Sequence, residues 1–313
     1  MNWLLWRQHR GQGLVTGIVL ALFAVAVVLT GVHMAHVYDD ALRTCTANGT
    51  CDFVGDLFQG YGAIVDVVHL SIAVPVLLGV ILGAALVGRE TEHATNVLVW
   101  TQSVTRRRWL FTKVAFALVA TLVTSAAVSA LVTWWSGTPN ALYGNRFDGT
   151  QFDTQNLVPI AFALFAVALG IAAGSFFRRT LPAIATTVGA YTAVRVLVAV
   201  YLRPHYLKSF TRTFPLGGPS SLPSGSWTLS EHLVDGAGHS LSGQLSMPAA
   251  CAPGVNGKAA AFECLSRLGY HRVFTYHSPG QYWSFQWIEA GLFLALTAGL
   301  VAFALVHTLR HDA

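Results

Sequence analysis

Three ionisable side chains stand inside otherwise apolar stretches: Asp66 in 64–87, Arg195 in 181–202 and Glu289 in 285–306. A charge in hydrocarbon is costly, so such residues line a polar pathway or pair with one another. His69 lies one helical turn from Asp66, and His33 and His36 lie near the end of the first apolar stretch. At 1.5 Å per residue, all three charges fall within roughly 10 Å of their stretches' outer ends. Arg195 can then pair with Asp66 or with Glu289 and close a pathway there. Alternatively, Arg195 snorkels outward while the two carboxylates meet lipid headgroups. The histidines tempt a metal reading, with His232, His239, His271 and His277 added. No Cys/His set has structural-zinc spacing, and no metal is expected.

The cysteines offer a second chemistry. Cys45, Cys51, Cys251 and Cys264 allow three pairings. The local ones, Cys45–Cys51 and Cys251–Cys264, are favoured, because "CTANGTC" centres on an Asn-Gly turn. Disulfides persist in oxidising compartments, which places both loops outside the cytosol.

The elements that must position these groups are membrane spans. The 313 residues are 54% hydrophobic and 11% charged, with mean hydropathy +0.54. Soluble domains carry about 25% charged residues. Six stretches reach the roughly 20 apolar residues that a bilayer-spanning helix needs: 14–37, 64–87, 114–135, 157–177, 181–202 and 285–306. The expected fold is an all-α polytopic membrane protein with six transmembrane helices. Basic residues orient it. The segments 1–13, 88–113, 178–180 and 307–313 hold ten of the 19 Lys and Arg, whereas 38–63 and 136–156 hold only Arg43 and Arg146. Both termini are therefore expected in the cytoplasm.

Four regions follow. Residues 1–13, with Trp3, Leu4, Leu5 and Trp6 beside Arg7 and Arg10, have the composition of an interfacial helix. Residues 14–202 hold spans one to five, with spans four and five joined by "RRT" alone. Residues 203–284 form a large extracellular loop whose aromatic stretch "YHRVFTYHSPGQYWSFQW" belongs at the membrane interface. Residues 285–313 form the last span and a short tail.

Between spans two and three lies "GRETEHATNVLVWTQSVTRRRWLFTK", residues 88–113. Arg106, Arg107 and Arg108 anchor the next span at the headgroups. The preceding residues are more than a turn requires, and Val97, Leu98, Trp100 and Val104 form a narrow apolar stripe at helical spacing. A short amphipathic helix facing the cytosol is a handle for a partner.

This segment resembles the one between spans two and three in permease subunits of type-2 ABC exporters, in particular a subgroup common in actinobacteria. The likeness lies in an Arg-Glu pair, a small-Thr pair, an apolar stretch, a polar turn and a basic Trp-Leu-x-x-Lys start. Ala94 stands where the family commonly has Gly. "WRQHR" is similar to the subgroup's pre-span start, and six spans with a large loop before the last match its plan. The resemblance implies that the segment is a coupling helix at about 90–105, docking on an ABC ATPase. It implies a coupling surface of Glu90, Glu92, Thr95, Trp100, Thr101, Gln102 and Arg106 to Arg108. It also implies a homodimer of permeases with two ATPase copies. This chain has no G-x-x-x-x-G-K-[ST] loop, and "GVNGKAA" at 254–260 has the wrong spacing. It is therefore expected to bind no cofactor, with ATP and Mg²⁺ on the partner, and no nucleic acid.

The expected function is export of a hydrophobic or amphipathic compound (drug, peptide or lipid) across the cytoplasmic membrane of a bacterium. A membrane-embedded enzyme would need a converging catalytic set, and no recognisable one stands in the sequence. A receptor or self-protection protein has only the 82-residue outer loop in its support.

Overall fold

The structure, a computed structural model of the chain, describes residues 2–48, 62–85, 92, 106–143, 146–216, 221–241, 251 and 263–311. Among the described residues, five helices are long and apolar enough to cross a membrane: Gly17–Thr44, Leu110–Trp135, Val158–Phe177, Thr180–His205 and Pro279–Arg310. The segment expected as the second span is helical over 62–85 but changes winding. It runs as α2 (Gly62–His69), a 3-10 turn (Leu70–Ala73), α3 (Val74–Leu78) and a π turn (Gly79–Ala84).

Helix α1 (Asn2–Asn48) is continuous, so the Trp-rich start and the first span share one helix. Helix α4 (Arg106–Trp135) begins within the 88–113 segment. Two short helices, α5 (Gly137–Tyr143) and α6 (Gly149–Thr154), occupy what reads in sequence as an outer loop. Helices α7 (Val158–Phe177) and α8 (Thr180–Leu197) make a hairpin through Arg178 and Arg179. Arg178 adopts φ +52° and donates its N–H to Gly174 O, which ends α7 within one residue. Helix α9 (Tyr282–His311) closes the chain.

Helix α7 is the centre. Seventy-two percent of its apolar stretch is buried, against 17% for α1 and for the last span, and it packs against α9, α8, α4 and the 74–84 segment. Its Ala- and Gly-rich sequence allows this, because small residues let helix backbones approach closely where burial from water gives no drive. A Cβ on Gly79 would lie 2.7 Å from Ala166 O, and one on Gly83 would lie 2.6 Å from Val167 O. The exposed Leu and Val rows of α1 and α4 suit a lipid-facing surface.

The expectation of an all-α chain is corrected in the segment expected as the large loop, 203–284. Strands β1 (Phe210–Pro215), β2 (Trp227–Val234), β3 (Ser240–Leu241) and β4 (His271–His277) form an antiparallel sheet in the order β1-β4-β2-β3. β-branched and aromatic residues fill "FTRTFP", "WTLSEHLV" and "HRVFTYH", the composition that suits a pleated, half-buried surface. Central β4 buries Phe274, Tyr276 and His277, so part of the aromatic stretch is strand core. The Cys251–Cys264 disulfide is formed, and it packs with Leu216, Leu265 and Tyr270. The Cys45–Cys51 pairing falls outside the described residues.

Two polar joints fasten the sheet to the helices. Ser278 and Gln281 form a capping box that starts the last helix. Ser278 N–H donates to Gln281 Oε1 at 3.0 Å, which makes that oxygen an acceptor. Buried His277 therefore donates from Nδ1 to it at 3.2 Å, while His277 Nε2 faces Pro204 O at 3.1 Å.

Candidate functional site

The site begins with a displaced loop. Helix α6 tucks Phe152, Asp153, Thr154 and Gln155 into the protein because α4 and α9 supply polar partners for its end. Gln286 Oε1 accepts from Leu157 N–H at 3.2 Å and Val158 N–H at 3.1 Å, and its amide donates to Phe152 O at 3.2 Å. The first N–H groups of a helix lack intrahelical partners, so one side chain of α9 caps α7. Asn156, at φ +63°, takes Thr133 Oγ1 on its N–H and Ser129 Oγ on its carbonyl, and donates to Tyr282 OH.

Held this way, Asp153 reaches two arginines. Arg195 Nη2 donates to Asp153 Oδ2 at 2.6 Å, and Arg203 Nη2 donates to Asp153 Oδ1 at 2.6 Å. Arg203 also binds Glu289 through Nε at 2.8 Å and Nη2 at 2.6 Å. Arg195 Nη1 lies 3.7 Å from Glu289 Oε1, and among the described residues it has no hydrogen-bond partner. The Arg195 guanidinium sits 3.5 Å over the Phe162 ring, and that of Arg203 sits 4.4 Å over Phe152. Two cations meet two anions, and Glu289 is fully buried. Beside Glu289, burial first and that carboxylate second push the Tyr206 phenol above its usual range.

Helix winding lets both arginines point the same way. In a regular α-helix, residues eight apart differ by about 80° around the axis. A π turn (Val198–Leu202) lies between Arg195 and Arg203. Such a turn takes up one extra residue, which leaves the pair about 20° apart. A 3-10 turn, Arg203–His205, then ends the span with Arg203 buried.

The sequence-derived candidates divide cleanly. Arg195 and Glu289 enter this cluster. Asp66 is exposed on α2 and stays out of it, and His69 ends α2 elsewhere. His33 and His36 are exposed on α1. Among the described residues, no group of three or more His, Cys, Asp or Glu could hold a metal ion. Asp153 and Arg203 escape a sequence reading because both lie just beyond apolar stretches, where charge is unremarkable. The one available signal was Pro204, which marks "RPH" as a helix end rather than free loop.

On the opposite side, Glu92 Oε2 accepts from Thr180 N–H at 3.0 Å and from Thr180 Oγ1 at 2.6 Å. Arg106, Arg107 and Arg108 open α4, with Arg108 exposed. Glu90, Thr95, Trp100, Thr101 and Gln102 lie outside the described residues.

Residues 17–203 match the family described as ABC-2 membrane transporter related. The chain belongs to that family. No curated protein and no solved structure matches it significantly. The ABC-2 match runs from α1 to Arg203, so it contains Asp153, Arg195 and Arg203 but neither Glu289 nor the sheet. Membership makes the chain a permease-type, multi-pass membrane component of an ABC transporter and implies association with an ABC ATPase.

Proposed function

We propose that this chain is the permease subunit of an ATP-driven exporter in the cytoplasmic membrane of a bacterium. Its cargo is a hydrophobic or amphipathic compound of the drug, peptide or lipid class. Segment 88–113 docks on the ATPase, which carries ATP and Mg²⁺, and two permease copies with two ATPases form the working unit. Both termini face the cytosol, and the Cys251–Cys264 loop faces outward. The Asp153–Arg195–Arg203–Glu289 cluster locks the outer end of the pathway.

The observation that carries this reading is that cluster, in a chain of this family. It joins α6, the end of α8 and α9 through charges that are buried and balanced. Each carboxylate is engaged by a guanidinium, which suits a lock better than an acid or base awaiting a substrate. An ion lock has two discrete states, made and broken, as alternating access requires.

The test is co-purification from the native host, followed by ATP hydrolysis in phospholipid vesicles with candidate amphipathic compounds. A stoichiometric ATPase whose hydrolysis is stimulated by such a compound supports the reading. A permease that purifies without an ATPase under mild detergent conditions sinks it.

A further inference from the structure

The partner for the first residue of α8 comes from 88 positions earlier in the chain. Arg179, at the N-cap of α8, makes no side-chain cap of its own. Glu92 fills that role: one carboxylate oxygen accepts both the Thr180 N–H and the Thr180 hydroxyl. The pairing is chemically apt, because a helix start presents unpaired N–H groups and a positive dipole end.

What lies beyond Thr180 gives the contact its consequence. Thr180–His205 is one 26-residue helical rod, roughly 40 Å long at 1.5 Å per residue. Its far end carries Arg195 and Arg203 of the ion cluster. The rod also packs on α7 and on the π turn Gly79–Ala84, which directly precedes the cytosolic segment. A rigid element whose two ends sit at two sites is a physical route for coupling between them.

We infer that Glu92 is a positioning residue, not a docking residue: it ties the cytosolic segment to the inner end of α8. A displacement of that segment then reaches the outer ion cluster along α8. This rests on the reading of 88–113 as the ATPase-facing segment, and it assigns Glu92 to the permease side of that segment.

The experiment uses the permease co-purified with its ATPase in phospholipid vesicles, with a cysteine at exposed His205 as reporter (His205→Cys). Maleimide labelling of that cysteine is compared with and without ATP plus vanadate. In the reporter protein the labelling rate is expected to change several-fold on nucleotide trapping. Glu92→Ala and Thr180→Ala are expected to keep the ATPase bound and hydrolysing while losing most of that change. Glu92→Gln, which keeps an acceptor oxygen, and Thr180→Ser, which keeps both donors, are expected to retain most of it. An undiminished response in Glu92→Ala overturns the inference, as does loss of the ATPase from that variant, which would make Glu92 a docking residue. A reporter protein that binds no ATPase overturns the underlying reading first, before any clamp variant is made.

Discussion

The two ends of α8 are held by opposite means. At its start one exposed carboxylate accepts two hydrogen bonds from Thr180. Toward its far end two arginines and two carboxylates are sealed among Phe152, Phe162 and Tyr206. Water competes for the first contact and not for the second. The exposed clamp is therefore cheap to make and break, whereas the buried cluster is costly to disturb piecemeal and suits a two-state lock.

The largest effect is expected where a partner is removed from the buried end. Arg203→Ala leaves Glu289 and half of Asp153 uncompensated, which costs about 3–5 kcal/mol, read as a large fall in thermal stability in detergent. Replacing Arg203 and Glu289 together by Met and Leu should cost clearly less. A double variant as damaging as Arg203→Ala would show that the cluster is not an electrostatic unit.

Deleting Ala199 tests the winding argument. Without the extra residue the π turn reverts to regular α-helix, and the spacing of about seven residues left between the two arginines again places them about 20° apart. The deletion is therefore expected to keep most of the thermal stability that Arg203→Ala loses, and a loss as large as that of Arg203→Ala would count against the turn as the absorber of one extra residue.

Gln286→Leu strips the acceptor from Leu157 and Val158 at the start of α7. Each buried N–H left unpaired costs about 1–3 kcal/mol. Amide exchange at those two residues should accelerate while exchange at Thr180 stays unchanged.

The smallest effect belongs to the exposed end. Thr180→Val removes one of the two hydrogen bonds to Glu92, worth about 0.5–1.5 kcal/mol. Thermal stability should barely move. A loss as large as that of Arg203→Ala would erase the contrast between the two ends.

How much of this was legible in sequence follows from the range of the forces involved. Apolar stretches at 14–37, 114–135, 157–177, 181–202 and 285–306 each fall on a helix, though the helices run past them: α1 to Asn48 and the last from Tyr282. Hydropathy reports the length a bilayer demands and is blind to helix that continues into water. Cys251–Cys264 was legible from spacing alone. The sheet was missed because its strands are short, lie far apart in sequence and pair β1 with β4 across more than 50 residues. Arg195 and Glu289 stood out as charges in hydrocarbon, whereas Asp153 and Arg203 did not, because nothing local says that a loop aspartate will be buried.

Composition alone dictates a helical membrane chain with a polar insert at 88–113, since transfer of each residue into hydrocarbon is a local property. Which charges meet was settled by packing. Gln286 draws the end of α6 inward, the π turn swings Arg203 beside Arg195, and Glu92 crosses to Thr180, and each of these contacts depends on elements distant in the chain. Burial makes Asp153, Arg195, Arg203 and Glu289 one ion cluster, because a charge removed from water must find its counter-charge in the protein.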